Sequence, residues 1–339
     1  MGVFSVRNDE LGGLVGVNPV VVEVERSGFV ESRHRGAAVG LGADGAVVVR
    51  VGEPGVPIFP RSANKPLQAV AMVRAGLEVD GELLALAAGS HSGEGFHVEG
   101  VEKILAGVGM GAGDLRCPES WPLEPVVQQE LARGGGGASR VRMNCSGKHA
   151  AMLATCVVAG WPTASYLDVG HPLQVVVRET VEELAGEAVA AVGVDGCGAP
   201  LFALSAVGVA RAFRALVLAE EGTPERRVAD AMRAYPQWTS GTRREERLLM
   251  DAVPGLVVKC GAEGVDAFAL DDGRAGVVKI DDGAMRARTP VTVALLRALG
   301  VGEDLEELAV VEVRGGDGVV GAVRVVPGVF TRSGAPPGP

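Results

Sequence analysis

The feature that most constrains this chain is the order of its periodicities: strand-like alternation at both ends and helical runs between. From 20 to 58 the stretch that begins VVVEVERSGFVESRHRGAAVGLGADGAVVVRVG alternates apolar segments with turn signals such as ADG, which predicts an antiparallel meander. Helical patterns follow at 62–76, 81–89, 97–110, 124–133, 146–160, 171–187, 199–218 and 223–234. After RREERLLMDAV, strand patterns return in GLVVKCG, AFALDDGRAGVVKI, AVVEVRG and AVRVVP, with one more helix at about 290–299. Strands at both ends can share one sheet while the middle forms a helical lobe, with a cleft between them. The expected class is α+β, with a mixed sheet lobe from both chain ends (about 15–60 and 255–332) and a helical lobe (about 61–254). Residues 1–332 are expected to form a single catalytic unit, with RGGGGASR (133–140) as a mobile loop and 333–339 as a flexible tail. No repeat with a period of 20–50 residues is present.

Composition narrows the function. Hydrophobic residues make up 47% and charged residues 22%, as in a soluble globular protein. The net charge of −10 arises from 42 acidic and 32 basic residues without a lysine-arginine block, which argues against nucleic acid and against a membrane surface and favours a small-molecule substrate. The first thirty residues lack the pattern of an export signal, and no 18 apolar residues run together, so a cytoplasmic location is expected. Five cysteines, an odd number, disfavour a disulfide framework and leave metal binding, catalysis or packing; Cys156, inside AAMLATCVVAG, reads as a core thiol. Only five of the 32 basic residues are lysine, so a position that keeps lysine can need an amine that loses its proton. Lys65, Lys148, Lys259 and Lys279 fall in compact polar-glycine motifs, and only Lys103 looks like a surface residue.

Four motifs carry possible chemistry. In RSANKPLQAVAMVRAG (61–76), Ser62 reads as a helix N-cap with Lys65 three residues on, facing the same way. A serine hydroxyl needs a base, and a desolvated lysine can be one; the plain alternative is a cap and a surface lysine. AAGSHSGEGFHVEG (87–100) clusters Ser90, His91, Ser92 and Glu94 at a turn between helices, suited either to substrate binding or to capping. In MNCSGKHAAM (143–152) Cys145 and Lys148 lie one turn apart, and in VDGCGAP (194–200) Cys197 sits in a glycine-flanked loop. Thiolates with an open position suit zinc, and spacing alone names His149 as third ligand, with Lys148 as an anion-binding cation. Finally, residues 257–284 place Cys260, Glu263 and Lys279 on two strands and a tight loop, read either as solvated hairpin positions or as part of a site with Lys65 and Lys148.

Taken in order, RSANKPLQA, SHSGE, NCSGKHAAML, DGCGAP and KCGAEGV resemble the rhizobial-type L-asparaginases, the class 3 or asparaginase II-like family. The resemblance implies a fold similar to serine β-lactamases, penicillin-binding proteins and glutaminases, a homodimer, and hydrolysis of L-asparagine to L-aspartate and ammonia. Carried over by residue, it implies a catalytic pair Ser62 and Lys65, and a second pair of Lys279 with a serine of SHSGE, Ser90 preferred and Ser92 left open. It implies zinc on Cys145, Lys148 and Cys197, with the ion aiding substrate binding, and a substrate-binding set of Arg61, His91, Ser92, Asp195 and Cys260. Rival readings are a related amidohydrolase acting on glutamine or another amide, and a non-catalytic zinc-binding protein with a closed four-ligand site.

Overall fold

A computed structural model describes residues 17–330; the expected tail at 333–339 lies outside the described residues. Its strands are β1 (Val20–Arg26), β2 (Phe29–Leu41), β3 (Val47–Val51), β4 (Pro57–Ile58), β5 (Ala191–Val194), β6 (Pro200–Ser205), β7 (Val257–Gly261), β8 (Val265–Ala269), β9 (Ala275–Ile280), β10 (Val311–Gly315) and β11 (Gly318–Val325). Its helices are α1 (Lys65–Arg74), α2 (Gly81–Ala87), α3 (Gly95–Ala106), α4 (Pro125–Arg133), α5 (Ser146–Val158), α6 (Pro172–Ala185), α7 (Ala206–Leu218), α8 (Pro224–Ala234), α9 (Pro236–Thr239), α10 (Glu245–Ala252), α11 (Met285–Ala298) and α12 (Glu306–Ala309).

Both ends of the chain meet in one eight-stranded sheet ordered β10-β11-β1-β2-β9-β8-β7, with β3 added against β2. Every pairing between these strands is antiparallel. The long β2 makes the closure possible: Phe29–Arg35 pair with β1, and Gly36–Leu41 pair with β9.

Side chains alternate between two cores, as period-2 geometry demands. Val277 and Ala267 face the helical lobe, whereas Val278 and Phe268 face α11 and α10. Because both faces are covered, β7 and β8 are buried at every residue, and their sequences VVKCG and VDAFA carry little polar alternation.

Two element boundaries differ from the sequence reading. Pro200–Ser205 is a strand, not the start of a helix over 199–218: it pairs with β4 and β5 in a separate three-stranded sheet, and Ser205 caps α7 by accepting the Gly208 N–H. An apolar run such as PLFALS has no period that separates strand from buried helix, so pairing decides. Helix α11 begins at Met285 rather than near 290, with Pro290 inside it.

Strand β7 abuts the turn that precedes α1. A Cβ on Gly261 would lie 2.2 Å from the Pro60 carbonyl oxygen, an approach that only glycine permits. Gly261→Ala is therefore expected to push the 61–64 turn away and to lower stability by about 1–3 kcal/mol in urea unfolding. An unchanged unfolding midpoint would show that the contact is not tight in solution.

Candidate active site

Leaving β4, the chain reaches Arg61 in the left-handed region (φ 54°), makes one 3₁₀ turn over Arg61–Asn64 and enters α1 at Lys65. Ser62 is not the helix cap that the sequence suggests: Asn64 holds that position, and no side chain makes a cap hydrogen bond there. Ser62 instead lines a cleft of about 800 Å³, together with Ser90, Asn144, Arg244, Cys260 and Arg288. The cleft lies where the helical lobe meets the end of β7 and the start of α11.

Lys65 is 1% exposed. Its Nζ donates to the Gly89 carbonyl (2.6 Å) and lies 2.9 Å from Ser90 Oγ. Burial lowers its pKa; Cys145 opposes that shift, and the charges of Lys148 and Lys259 reinforce it. The loop carrying Ser90 is fixed by backbone bonds from Ser90 N–H to Thr239 O (2.8 Å) and from His91 N–H to Asn144 O (3.0 Å).

The neighbours of Ser90 turn inward. His91 Nδ1 accepts the Gly93 N–H (3.1 Å), so its Nε2 carries the proton and donates to Ser146 Oγ (2.8 Å), which donates to Val141 O (2.7 Å). Burial, then His97 and Lys65, hold the pKa of His91 well below its ordinary value, so it is a neutral strut. Ser92 Oγ donates to Ser240 O (3.0 Å). Neither His91 nor Ser92 lines the cleft, and of the two candidate serines it is Ser90 that meets Lys65.

The cysteine cluster is drawn together behind Lys65. Lys148 Nζ donates to Cys197 Sγ at 3.1 Å, and all three of Cys145, Lys148 and Cys197 are buried. A hydrogen bond from Cys145, then the Lys148 charge, hold the Cys197 thiol far below its usual range, while the same hydrogen bond and burial push Cys145 up. Burial works against the charge of Lys148, but Cys197, Cys145 and Asp195 outweigh it and its pKa is raised.

His149 takes its Nδ1 contact from Tyr166 OH (2.7 Å), and its buried Nε2 finds no hydrogen-bond partner. Among the described residues no three of His, Cys, Asp and Glu converge as a metal site, so an ion here needs the Lys148 amine as a ligand rather than His149. Two sulfurs and an adjacent amine in a buried pocket fit a thiophilic metal such as zinc.

Arg61 and Asp195 form an ion pair (Nε to Oδ1, 2.7 Å), and Cys197 Sγ lies 3.6 Å from Asp195 Oδ2. Arg61 faces an adjoining depression that also holds Glu263 and Lys279. This corrects the pairing of Lys279 with Ser90. Lys279 Nζ donates to the carbonyls of Glu263 (2.8 Å) and Ile280 and does not line the cleft with Ser62 and Ser90.

The lysine that lies closer to the 61–64 turn is Lys259 on β7, which is fully buried and close enough to Lys65 to depress its pKa. Lys259 Nζ donates to Glu246 Oε1 (2.8 Å) and to Cys260 O (3.0 Å). Cys260 Sγ donates to the same Glu246 oxygen (2.6 Å). Glu246 is buried too; burial opposes its charge, but Lys259, Arg244 and Arg288 hold its pKa below the carboxylate range.

Sequence reasoning missed Asn144, Arg244, Glu246 and Arg288, as well as the position of Lys259. Only Lys259 carried a local signal, its rarity.

A model of the L-asparaginase II family matches residues 22–325. The chain belongs to that family. It is an amidohydrolase of the asparaginase and glutaminase type. No curated protein sequence matches it. Among solved structures it is similar to Mglu in its native form in 4.3 M NaCl, at 18% identity over 91% of this chain and 72% of that one (TM-score 0.43). It is also similar to a β-lactamase from Mycobacterium bovis, at 16% identity over 87% of this chain and 100% of that one (TM-score 0.41). No described helix of this asparaginase II-family chain is long and apolar enough to cross a membrane.

The two strand lysines of this family member separate by stability. Lys259→Met leaves Glu246 buried beside Arg244 alone at ion-pair range and is expected to cost about 3 kcal/mol. Lys279→Met gives up bonds to two carbonyls and is expected to cost under about 1 kcal/mol. Urea unfolding of both variants checks the order; equal losses would mean that the Glu246 pair is not buried in solution.

Proposed function

We propose that the protein is an L-asparaginase that hydrolyses L-asparagine to L-aspartate and ammonia, with Ser62 as nucleophile and Lys65 as base. One observation carries this reading: Ser62 and Ser90 share a cleft, and the buried Lys65 amine lies 2.9 Å from Ser90 Oγ and donates to the Gly89 carbonyl, with the Cys145 thiol also beside it. An amine so placed gives up its charge readily, and the neutral form has a lone pair that can take a proton.

In the proposed reaction Ser62 Oγ attacks the side-chain amide carbon while Lys65 Nζ takes the hydroxyl proton. The C–N bond then breaks, the nitrogen leaves as ammonia with that proton passed through Ser90, and an aspartyl ester remains on Ser62. Water, deprotonated by Lys65, cleaves the ester, releasing L-aspartate and restoring the Ser62 hydroxyl. Lys259, paired with Glu246, keeps a positive charge near Lys65 throughout and favours the neutral form of that base. Cys145, Lys148 and Cys197 would hold a zinc ion, which would aid binding at the amino end of the substrate and so help to orient its amide. The working form proposed is a cytoplasmic homodimer.

Ser62→Ala is expected to abolish ammonia release from L-asparagine in a folded protein, and Lys65→Arg to be nearly as damaging as Lys65→Ala, because arginine keeps the charge but is no base. Full activity in folded Ser62→Ala overturns the mechanism. Measured beside L-asparagine, L-glutamine tests the substrate; one methylene is worth only about 1–3 kcal/mol of discrimination.

The metal has a separate test. Cys197→Ala is expected to lose bound zinc by elemental analysis and to raise KM strongly while kcat at saturation stays measurable. Loss of kcat at every substrate concentration with KM unchanged would place the metal in the chemical step.

A further inference from the structure

The sheet side of the cleft carries a guanidinium that the mechanism does not use. Arg288, on the first turns of α11, lines the same cleft as Ser62 and Ser90 although it is only 2% exposed. Asp266 Oδ1 lies 3.3 Å from its Nε and Glu245 Oε2 lies 3.6 Å from its Nη2. Neither its Nε nor its Nη1 has an aligned hydrogen-bond acceptor among the described residues. Asp266 is itself held in place, accepting from Thr292 Oγ1 at 2.7 Å.

Unsatisfied buried donors on a charged group cost free energy unless something completes them. The other arginines on this wall have partners: Arg244 contacts Glu246 and Cys260, and Arg286 donates to His34 Nε2 (3.1 Å). Of these three, Arg288 is the one with buried guanidinium nitrogens, Nε and Nη1, that lack a hydrogen-bond partner.

We propose that Arg288 receives the α-carboxylate of the amino-acid substrate and so selects ω-amides that carry a free α-carboxylate. The inference rests on the asparaginase reading for the identity of the substrate. A guanidinium fork matches a carboxylate, and a site built around a buried donor discriminates strongly against an analogue lacking the acceptor. Asp266 and Thr292 position the fork from behind; Arg288 touches the ligand.

The test compares L-asparagine with 3-aminopropanamide, which keeps the amine and the amide and lacks the α-carboxylate. Arg288→Met and Arg288→Lys are measured beside the wild type, with near-ultraviolet circular dichroism as the folding control. In each folded variant kcat/KM for L-asparagine is expected to fall roughly 100-fold, chiefly through KM, while the value for 3-aminopropanamide stays within about twofold. If turnover of the analogue is too slow to follow, its inhibition constant against L-asparagine gives the same ratio. If Arg288→Met does not fold, Arg288→Lys, which keeps the charge opposite Asp266, carries the measurement. Equal losses on both substrates, or no loss on L-asparagine, overturn the proposal.

Calorimetric titration of Ser62→Ala and of the double variant Ser62→Ala/Arg288→Lys with L-aspartate separates this inference from the functional reading. Binding that depends on Arg288, in a protein whose wild type releases no ammonia, sinks the asparaginase reading and upholds the carboxylate site. Ammonia release with binding indifferent to Arg288 does the reverse.

Discussion

Three lysine side chains lie inside this protein, Lys65, Lys148 and Lys259, each 1% exposed or less. An unpaired ammonium in that position costs several kcal/mol, so each must be paired or neutralised. Lys148 is paired with the Cys197 sulfur, and Lys259 with the Glu246 carboxylate. Lys65 instead meets the Gly89 carbonyl and the Ser90 hydroxyl, with the Cys145 thiol beside it. Lys259, and Lys148 while it is not a metal ligand, keep their charges and lower the pKa of the third. Burial and the cationic interior together lower the pKa of that one amine, the direction a general base requires.

That arrangement needs three backbones to come close, since Lys65 stands on α1, Lys148 on α5 and Lys259 on β7. Gly147, directly before Lys148, shows how closely: a Cβ there would lie 2.7 Å from Leu86 of α2. The glycines of NCSGKH and KCGAEG therefore mark close approaches, one between two helices and one between β7 and the 61–64 turn, beside the rare lysines.

The two-lobe plan was legible in the chain because hydrophobic period is local, and so were the serine-lysine turn and the cysteine-lysine turn, each contained within one helical turn. The choice between Lys259 and Lys279 was not. Both are strand lysines beside a glycine-acid loop, and β8 separates their strands, so only the pairing order β9-β8-β7 decides which lies next to Lys65. His91 and Ser92 misled for the opposite reason: polar residues in a glycine-rich turn look like ligands, yet here they satisfy carbonyls and hydroxyls of neighbouring segments. Glu246, Arg244 and Arg288 had no readable signal, because ordinary charged residues on helices become buried only through contacts with distant strands.

The path from the proposed nucleophile Ser62 to the proposed carboxylate reader Arg288 is short. The 61–64 turn packs on Gly261, whose strand neighbour Cys260 lies directly across the ladder from Asp266, the partner of Arg288. Lys259, one residue further along β7, points its charge toward Lys65. Two paired strands therefore fix the separation between the proposed reacting serine and the proposed carboxylate site, with no flexible loop in the chain of contacts. Side chains on such a ladder cannot shift independently, because a register change of one residue would move every group to the opposite face. On the proposed function, substrate length in this cleft would be set by backbone pairing between β7 and β8 and by the docking of the serine turn on Gly261. A change of preference between asparagine and a longer amide then calls for displacement of that turn, not merely for a larger or smaller side chain in the cleft.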